Sequence, residues 1–210
     1  FIADGHHRHE VSRMFRDIKK KQDPLHFKDS YHYIMTYFTA LEDSGLCILP
    51  THRLVRDITI DPRVFEPLFS VKEVVSRDAL VDEMKKTEDA VGAFGLYAAK
   101  KFYLLKVADK RGCNQLIQEG PREYKDLDVV ILQKVIFDHL LKAALPQIGY
   151  EIDLHRWVAA FDSGAVSAAL IIHATKVEQI RSIALGGEVM PQKSTYFYPK
   201  LLSGLLINKF

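Results

Sequence analysis

Segments with helical spacing alternate along this chain with short segments rich in aromatic and β-branched residues. Val11, Met14, Phe15 and Ile18 recur at i, i+3, i+4 and i+7, which predicts an amphipathic helix over residues 6–21. The same criteria, together with Ser, Pro and Gly at the ends, predict helices over 76–86, 128–145 and 176–185.

Between these helices, pairs of apolar segments joined by turn residues predict β-hairpins. The predicted pairs are 31–41 with 46–49, 94–98 with 102–107, and 156–161 with 166–173, and a last strand is expected at 205–207. Helices and hairpins alternate without a strict βαβ period. The pattern therefore predicts an α+β fold whose sheet is mostly antiparallel.

The composition indicates a soluble globular protein. Of 210 residues, 48% are hydrophobic and 27% are charged, which provides enough apolar surface for one large core or two small ones. The formal charge is only +2, so the chain as a whole does not indicate nucleic-acid binding. No apolar run reaches the roughly 18 residues of a membrane span. The two cysteines are far apart, so we expect a reducing, cytoplasmic location.

The first ten residues, Phe-Ile-Ala-Asp-Gly-His-His-Arg-His-Glu, carry the clearest candidate chemistry. A short apolar run precedes Asp4 and Gly5, and the predicted helix follows. The first N–H groups of a helix have no intrahelical acceptor and attract anions, above all phosphate. Gly5 would let an anion approach the backbone, Arg8 could bind it through two hydrogen bonds, and His6 would lie at the mouth as phosphate ligand, proton donor or transient acceptor.

Two other interpretations of these ten residues stay open at this stage. His6, His9 and Glu10 share one helix face and could bind a metal, although their order is not that of the H-E-x-x-H metalloprotease motif. In the other interpretation, Asp4 caps the helix and the histidines are solvated.

A second polar cluster follows the predicted helix over 176–185. Its lysines, hydroxyls and tyrosines could close over a ligand, with Lys193 meeting an anion, or could form the charged edge of a sheet; they are Lys193, Ser194, Thr195, Tyr196, Tyr198 and Lys200. His52 and Arg53 are predicted to lie at a solvated strand end, and Cys47 is predicted to be a buried thiol.

Three motifs together resemble a bacterial and archaeal family known only as domain of unknown function 1015. They are Ile-Ala-Asp-Gly-His-His-Arg at 2–8, Ile-Leu-Pro-Thr-His-Arg-Leu at 48–54, and the segment 190–204 that begins Met-Pro-Gln-Lys-Ser-Thr. The resemblance implies that a further N-terminal half precedes the first motif, which agrees with a chain that opens on a strand-like Phe-Ile-Ala without Met. The family name supplies no activity.

The segment Gly5-His6-His7-Arg8 is also similar to the Gly-Cys-His-Arg signature of sulfiredoxin and to a motif of ParB-like free-serine kinases. This similarity implies phosphate contacts for His7 and Arg8, and it places His6 where sulfiredoxin has its reactive cysteine, so thiol chemistry is not expected there. His9 stands where a Tyr is expected. Residues 1–56 would be the C-terminal part of such a domain, and 57–210 a second α+β domain or an extension.

We therefore expect a nucleotide-dependent phosphotransferase that acts on a small hydroxylated metabolite, with ATP or ADP and magnesium as cofactors. Asp4 and His6 are the expected catalytic residues. The expected nucleotide contacts are Gly5, His7, Arg8, Lys193, Ser194 and Tyr196. A noncatalytic nucleotide-sensing or partner-binding module is the first alternative, and a metal-dependent hydrolase is the second; the oligomeric state is left open.

Overall fold

The computed structural model describes residues 2–22, 30–141, 148–153, 156, 164–202, 204 and 207. Within them the fold is α+β with antiparallel strand pairing in the large sheet, as the sequence predicts. The chain divides into two compact units: unit 1 comprises Phe1–Cys47 and Phe197–Phe210, and unit 2 comprises Ile48–Tyr196. The division by resemblance into 1–56 and 57–210 stays a prediction.

Unit 1 contains the long helix α1, His6–Gln22, and a 3-10 turn at Ser30–His32. The helix begins where the N–H of His9 donates to the carbonyl of Gly5 at 2.9 Å, and three lysines in its last turn suit the negative end of the helix dipole. Phe15 packs edge-to-face on Tyr31, with ring centroids 6.5 Å apart. The predicted helix is confirmed, but Val11, Met14 and Ile18 of its apolar stripe are exposed.

Unit 2 is built on six strands in the order β3-β5-β4-β7-β2-β6. These strands are β2 His52–Val55, β3 Phe69–Val74, β4 Ala93–Ala98, β5 Lys101–Val107, β6 Ile148–Glu151 and β7 Ala168–Ile171. The chain also forms a separate two-stranded sheet from β1, Cys47–Leu49, and β8, Tyr196–Tyr198.

The helical elements of unit 2 contribute residues to both of its hydrophobic clusters. They are α2 Arg77–Lys85, α3 Lys110–Leu116, α4 Arg122–Lys125, α5 Asp128–Val130 with its π-helical continuation Ile131–Leu140, α6 Val177–Leu185, and a 3-10 turn at Pro62–Phe65. Alternation along the strands sends Leu54 towards the cluster of α2, and Val55 towards the larger cluster around Phe94 and the π-helix. Each face of the sheet is thereby covered.

Several local predictions are confirmed. Ser76 caps α2 by accepting the N–H of Ala79 at 3.2 Å, and Gly186 follows α6. The hairpin β4–β5 turns through Ala99 and Lys100, which have φ of 51° and 61°. The positive φ values suit the right-handed twist of the paired strands.

Other local predictions differ from the structure. The first predicted hairpin is wrong, because 33–40 has no regular secondary structure and β1 pairs with β8. Tyr37 and Phe38 in this segment are 67% and 86% exposed. Aromatic and β-branched residues favour strands only where they pack on a half-buried sheet surface, and among the described residues this segment has no such surface to pack on. Of the helix predicted over 128–145, residues 142–145 lie outside the described residues. The described part is helical to Leu140 and widens to π geometry, as the Leu141 N–H to Ile136 carbonyl bond of 2.9 Å shows.

Parts of two further predictions lie outside the described residues. They are the first strand and turn of the hairpin predicted over 156–173, with Trp157, and most of the terminal strand predicted at 205–207. In the part of the chain that the structure describes, no helix combines the length and apolar character required to span a membrane.

Candidate functional site

The opening motif places two basic side chains on one carboxylate at the start of α1. Asp4 accepts from Arg8 Nη2 at 3.2 Å and from Lys200 Nζ at 2.9 Å, and all three residues belong to unit 1. Burial of the Asp4 carboxyl raises its pKa. The hydrogen bond and charge of Lys200, together with the charge of Arg8, lower the pKa by more than burial raises it, so the Asp4 pKa is below its ordinary value. Asp4 is thus held as an anion between two cations.

Gly5 brings Arg8 close to the backbone at the helix N-terminus. Its φ is +80°, a conformation that glycine adopts without steric cost, and a Cβ at this position would lie 3.0 Å from Arg8 Nη2. The guanidinium group therefore lies over Gly5, beside the first N–H groups of α1. Any larger residue at position 5 would displace it.

The histidines of the motif take different positions. His6 is exposed at the first helical position, and the Nδ1 atom of exposed His7 is 3.9 Å from Glu10 Oε2, one turn further along. The structure thus brings Asp4, Gly5 and Arg8 together and directs His7 along the helix. Among the described residues, no three His, Cys, Asp or Glu side chains come together as a metal site, so nothing there supports the metal-hydrolase alternative.

The residues predicted in the second cluster lie in unit 2, except for Tyr198 and Lys200. Lys193 is exposed and has a φ of 58°, Ser194 is 4% exposed, and Tyr196 is half-buried at the start of β8. The Oγ1 hydroxyl of Thr175 donates to the carbonyl of Ser194 at 2.8 Å and fixes the backbone there. The Lys193 side chain extends towards Tyr150, with its Nζ atom 5.8 Å from the ring centroid.

The largest correction concerns His52 and Arg53, which the sequence places at a solvated strand end. They are 2% and 5% exposed, because β2 lies between β7 and β6 rather than at a free edge. Arg53 Nη1 donates to the carbonyl of Thr51, and Nη2 donates to the carbonyl of Lys193 at 3.1 Å. Burial lowers the pKa of Arg53 to about 10, which leaves the group charged at neutral pH.

His52 is neutral at physiological pH because burial, followed by the positive charge of Arg53, lowers its pKa to about 4. Its Nδ1 atom accepts the N–H of Ile172 at 3.3 Å, which places the ring proton on Nε2. Within the described ranges, His52 Nε2 has no hydrogen-bond partner. The sequence signal that could have revealed this buried strand is the apolar flanks of the polar pair, Ile48-Leu49 and Leu54-Val55.

The chain is similar to three solved structures of two kinds of protein. A conserved hypothetical protein from Pyrococcus furiosus is 19% identical, with a TM-score of 0.47 and coverage of 93% of this chain and 68% of that chain. Free serine kinase in complex with AMP is 15% identical, with a TM-score of 0.46 and coverage of 76% of this chain and 56% of that chain. A variant of free serine kinase in complex with ADP is 16% identical, with a TM-score of 0.45 and coverage of 77% and 58%.

No curated protein matches this chain in sequence. The family model described as a protein of unknown function, DUF1015, matches residues 1–130, which include the opening motif and the buried His52-Arg53 pair. The match extends over more than half of the 210 residues. This chain therefore belongs to the DUF1015 family.

Proposed function

We propose that this protein is a nucleotide-dependent phosphotransferase that acts on a small hydroxylated metabolite and holds the nucleotide phosphates at the N-terminus of α1. The observation that carries the proposal is the double contact of Asp4 with Arg8 and Lys200, at 3.2 and 2.9 Å. Arg8 and Lys200 bring two cations to one carboxylate, beside N–H groups that have no intrahelical acceptor. A phosphate satisfies both the cations and the donors.

The positions of Arg8 and Lys200 suit this role because both remain accessible. Their side chains are 71% and 36% exposed, so a ligand can reach them from solvent. Asp4 orients both cations, and its lowered pKa suits an ionised positioning group. In the proposal, His6 at the first helical position exchanges protons with the transferred group or its acceptor, and Gly5 and His7 complete the phosphate contacts.

Lys193, Ser194 and Tyr196 stay proposed nucleotide contacts of unit 2. Magnesium would enter with the nucleotide, since magnesium is usually bound through substrate phosphates and one or two carboxylates. The Asp4 carboxylate is already engaged by Arg8 and Lys200, so these residues do not form a magnesium site of their own. No step of the proposal depends on such a site.

Replacing Arg8 with alanine is expected to weaken the binding of ATP and ADP at least about tenfold, because a charge-assisted hydrogen bond to phosphate contributes on the order of 1.5–3 kcal/mol. Lys200→Ala is expected to act in the same direction. Isothermal titration calorimetry of the full chain measures both effects. The matched control is Arg16→Ala, which removes an arginine of the same helix that pairs with Asp17 at 2.7 Å, and it is expected to leave the affinity unchanged.

Replacing His6 with alanine is expected to lower phosphate transfer to a hydroxylated acceptor at least about a hundredfold while nucleotide affinity changes little, as for a proton-transfer group. The rate of transfer from ATP or ADP is measured as the rate at which the phosphorylated product appears. Tight nucleotide binding without product would favour the sensing module. If the wild-type chain binds no nucleotide, or if binding is the same in Arg8→Ala and Lys200→Ala, the proposed function is wrong.

A further inference from the structure

Arg53 is a buried cation on one face of the large sheet of unit 2. Its cross-strand neighbours in the register are Tyr150 on β6 and Leu170 on β7, and directly paired residues share a face. The guanidinium carbon lies 4.7 Å from the centroid of the Tyr150 ring, a cation–π distance. The adjacent residue His52 points to the opposite face, because successive strand residues alternate.

The groups bonded to Arg53 do not neutralise its charge. Its two hydrogen bonds go to the backbone carbonyls of Thr51 and Lys193, and across the described ranges no carboxylate is among the groups that shift its pKa. Guanidinium has five N–H donors, so three remain beyond these two bonds. A buried charge without a counter-charge is costly, and carbonyl contacts alone could be made by a neutral side chain.

The nearest acidic residue along β6 does not supply that counter-charge. Glu151 pairs in register with His52, on the other face, and its Oε1 atom accepts the N–H groups of Ile152 and Asp153 at 2.9 and 3.0 Å. A second cation, Lys193, approaches the same Tyr150 ring, and its Nζ atom lies 5.8 Å from the ring centroid.

This second cation is exposed to solvent, whereas Arg53 is buried. Tyr150 is 47% exposed, and Arg53 is 5% exposed. The backbone of Lys193 is held by the Arg53 contact at 3.1 Å in a left-handed conformation, with a φ of 58°. Arg53 thus fixes an unusual backbone conformation at Lys193.

We propose that Arg53, Lys193 and Tyr150 form an oxyanion-binding site in unit 2 that takes a phosphate group, either free or as a phosphate ester. Arg53 provides its remaining N–H donors from the buried side, and the exposed Lys193 provides its ammonium group from the solvent side. The Tyr150 ring keeps the two cations in place and limits access of water to Arg53. The site shares no residue with the Asp4–Arg8–Lys200 cluster, and it rests on the proposed function only through Lys193, which is also a proposed nucleotide contact; Arg53 and Tyr150 belong to this site alone.

The test is calorimetric titration of the full chain carrying both Arg8→Ala and Lys200→Ala, so that neither cation of the cluster at α1 contributes. Inorganic phosphate is the probe in one arm and AMP in the other. Adding Arg53→Gln is expected to weaken binding of the phosphate group at least tenfold, and Arg53→Lys less, because lysine keeps the charge without the planar fork. Tighter binding of AMP than of phosphate identifies an ester as the ligand class, and equal binding identifies the free group.

A second variant keeps the proposal falsifiable if Arg53→Gln fails to fold. Lys193→Asn removes the ammonium at an exposed position and suits the positive φ, since asparagine tolerates this conformation; it is expected to weaken phosphate binding at least threefold. The matched control is Arg63→Gln, an exposed arginine of the same unit that is 2.6 Å from Asp61. Unchanged phosphate and AMP affinity in Lys193→Asn and in any folded Arg53 variant overturns the proposal, whatever the outcome of the Arg8 and Lys200 experiments.

Discussion

Replacing Gly92 with alanine is expected to lower the free energy of unfolding by about 3 kcal/mol. Gly92 precedes β4 with a φ of +75°, and a Cβ at this position would overlap Cγ2 of Val107. Its N–H also donates to Asp128 Oδ1 at 2.8 Å, and its carbonyl accepts the N–H of Val107 at 2.9 Å. Alanine must therefore strain the backbone and displace a β5 side chain at the same point.

A matched glycine separates these two costs. Gly187 has a φ of +78°, but a Cβ there would find no atom within 4 Å, so Gly187→Ala is expected to cost only about 1 kcal/mol. Urea unfolding followed by circular dichroism measures both variants.

Combining Gly92→Ala with Val107→Ala removes the overlapping methyl group, and the double variant is expected to be more stable than the sum of the single effects predicts, by at least about 1 kcal/mol. Equal costs at positions 92 and 187 would refute the steric argument.

Relative to the wild type, Asp128→Asn is expected to have a free energy of unfolding that is higher at pH 7.5 than at pH 4, by on the order of 1–2 kcal/mol. Burial raises the pKa of Asp128 to about 6, and the hydrogen bond from Gly92 only partly opposes this. Because the pKa of Asp128 is higher in the folded chain than in the unfolded chain, the protonated carboxyl stabilises the fold. This contribution is complete below pH 3.8, and it is lost as the pH rises through about 6. Asparagine keeps an acceptor for Gly92 without the buried charge.

His52 changes stability in the opposite direction. Its pKa is lowered from 6.5 to about 4 by burial and by Arg53, so its contribution is present above 6.5 and is lost as the pH falls through about 4. The two slopes partly offset each other in the wild-type chain. The variant must therefore be compared with the wild type at each pH, rather than by its own profile.

The control for this measurement is Asp89→Asn. Asp89 is exposed, and its hydrogen bond with Lys176 lowers its pKa, so this variant is expected to lose a little stability at pH 7.5 relative to pH 4. An equal effect of Asp128→Asn on the free energy of unfolding at both pH values would contradict the raised pKa of Asp128.

The elements that could be predicted from the sequence are those whose determinants are local. Ser76 and the apolar spacing of Leu80 and Met84 specify α2, and Ala99-Lys100 joins two apolar segments closely enough to specify the β4–β5 hairpin. The helix α1 follows from the same kind of periodicity. Each of these depends on contacts between residues fewer than about ten positions apart.

The contacts that could not be predicted join distant parts of the chain. Nothing near Asp4 indicates that Lys200 will bind it, and nothing near Arg53 indicates that Tyr150 will be its cross-strand neighbour. Burial of His52 and Arg53 depends on β6 and β7, which follow about a hundred residues later. The predicted burial of Cys47 is wrong for the same reason, since the Cys47 side chain is exposed.

In the candidate site, Asp4, Gly5 and Arg8 are close in the sequence, and the structure places them together at the start of α1. The catalytic and nucleotide-binding roles assigned to the motif stay predictions, as does the similarity to ParB-like domains. Arg53 was missed because a charged residue next to a histidine resembles the end of a strand unless its partner strands are known.

The position of β7 sets an order of events for synthesis. This strand lies between β4 and β2, so its residues 168–171 join a three-stranded half, β3-β5-β4, to the pair β2-β6. On the ribosome, the first half can pair locally as soon as residue 107 has emerged, whereas β2 must wait until its central neighbour β7, residues 168–171, has been made. Until then β2, with the charged Arg53, has an unpaired edge on the side that β7 later covers, and an unpaired strand edge favours association with other chains.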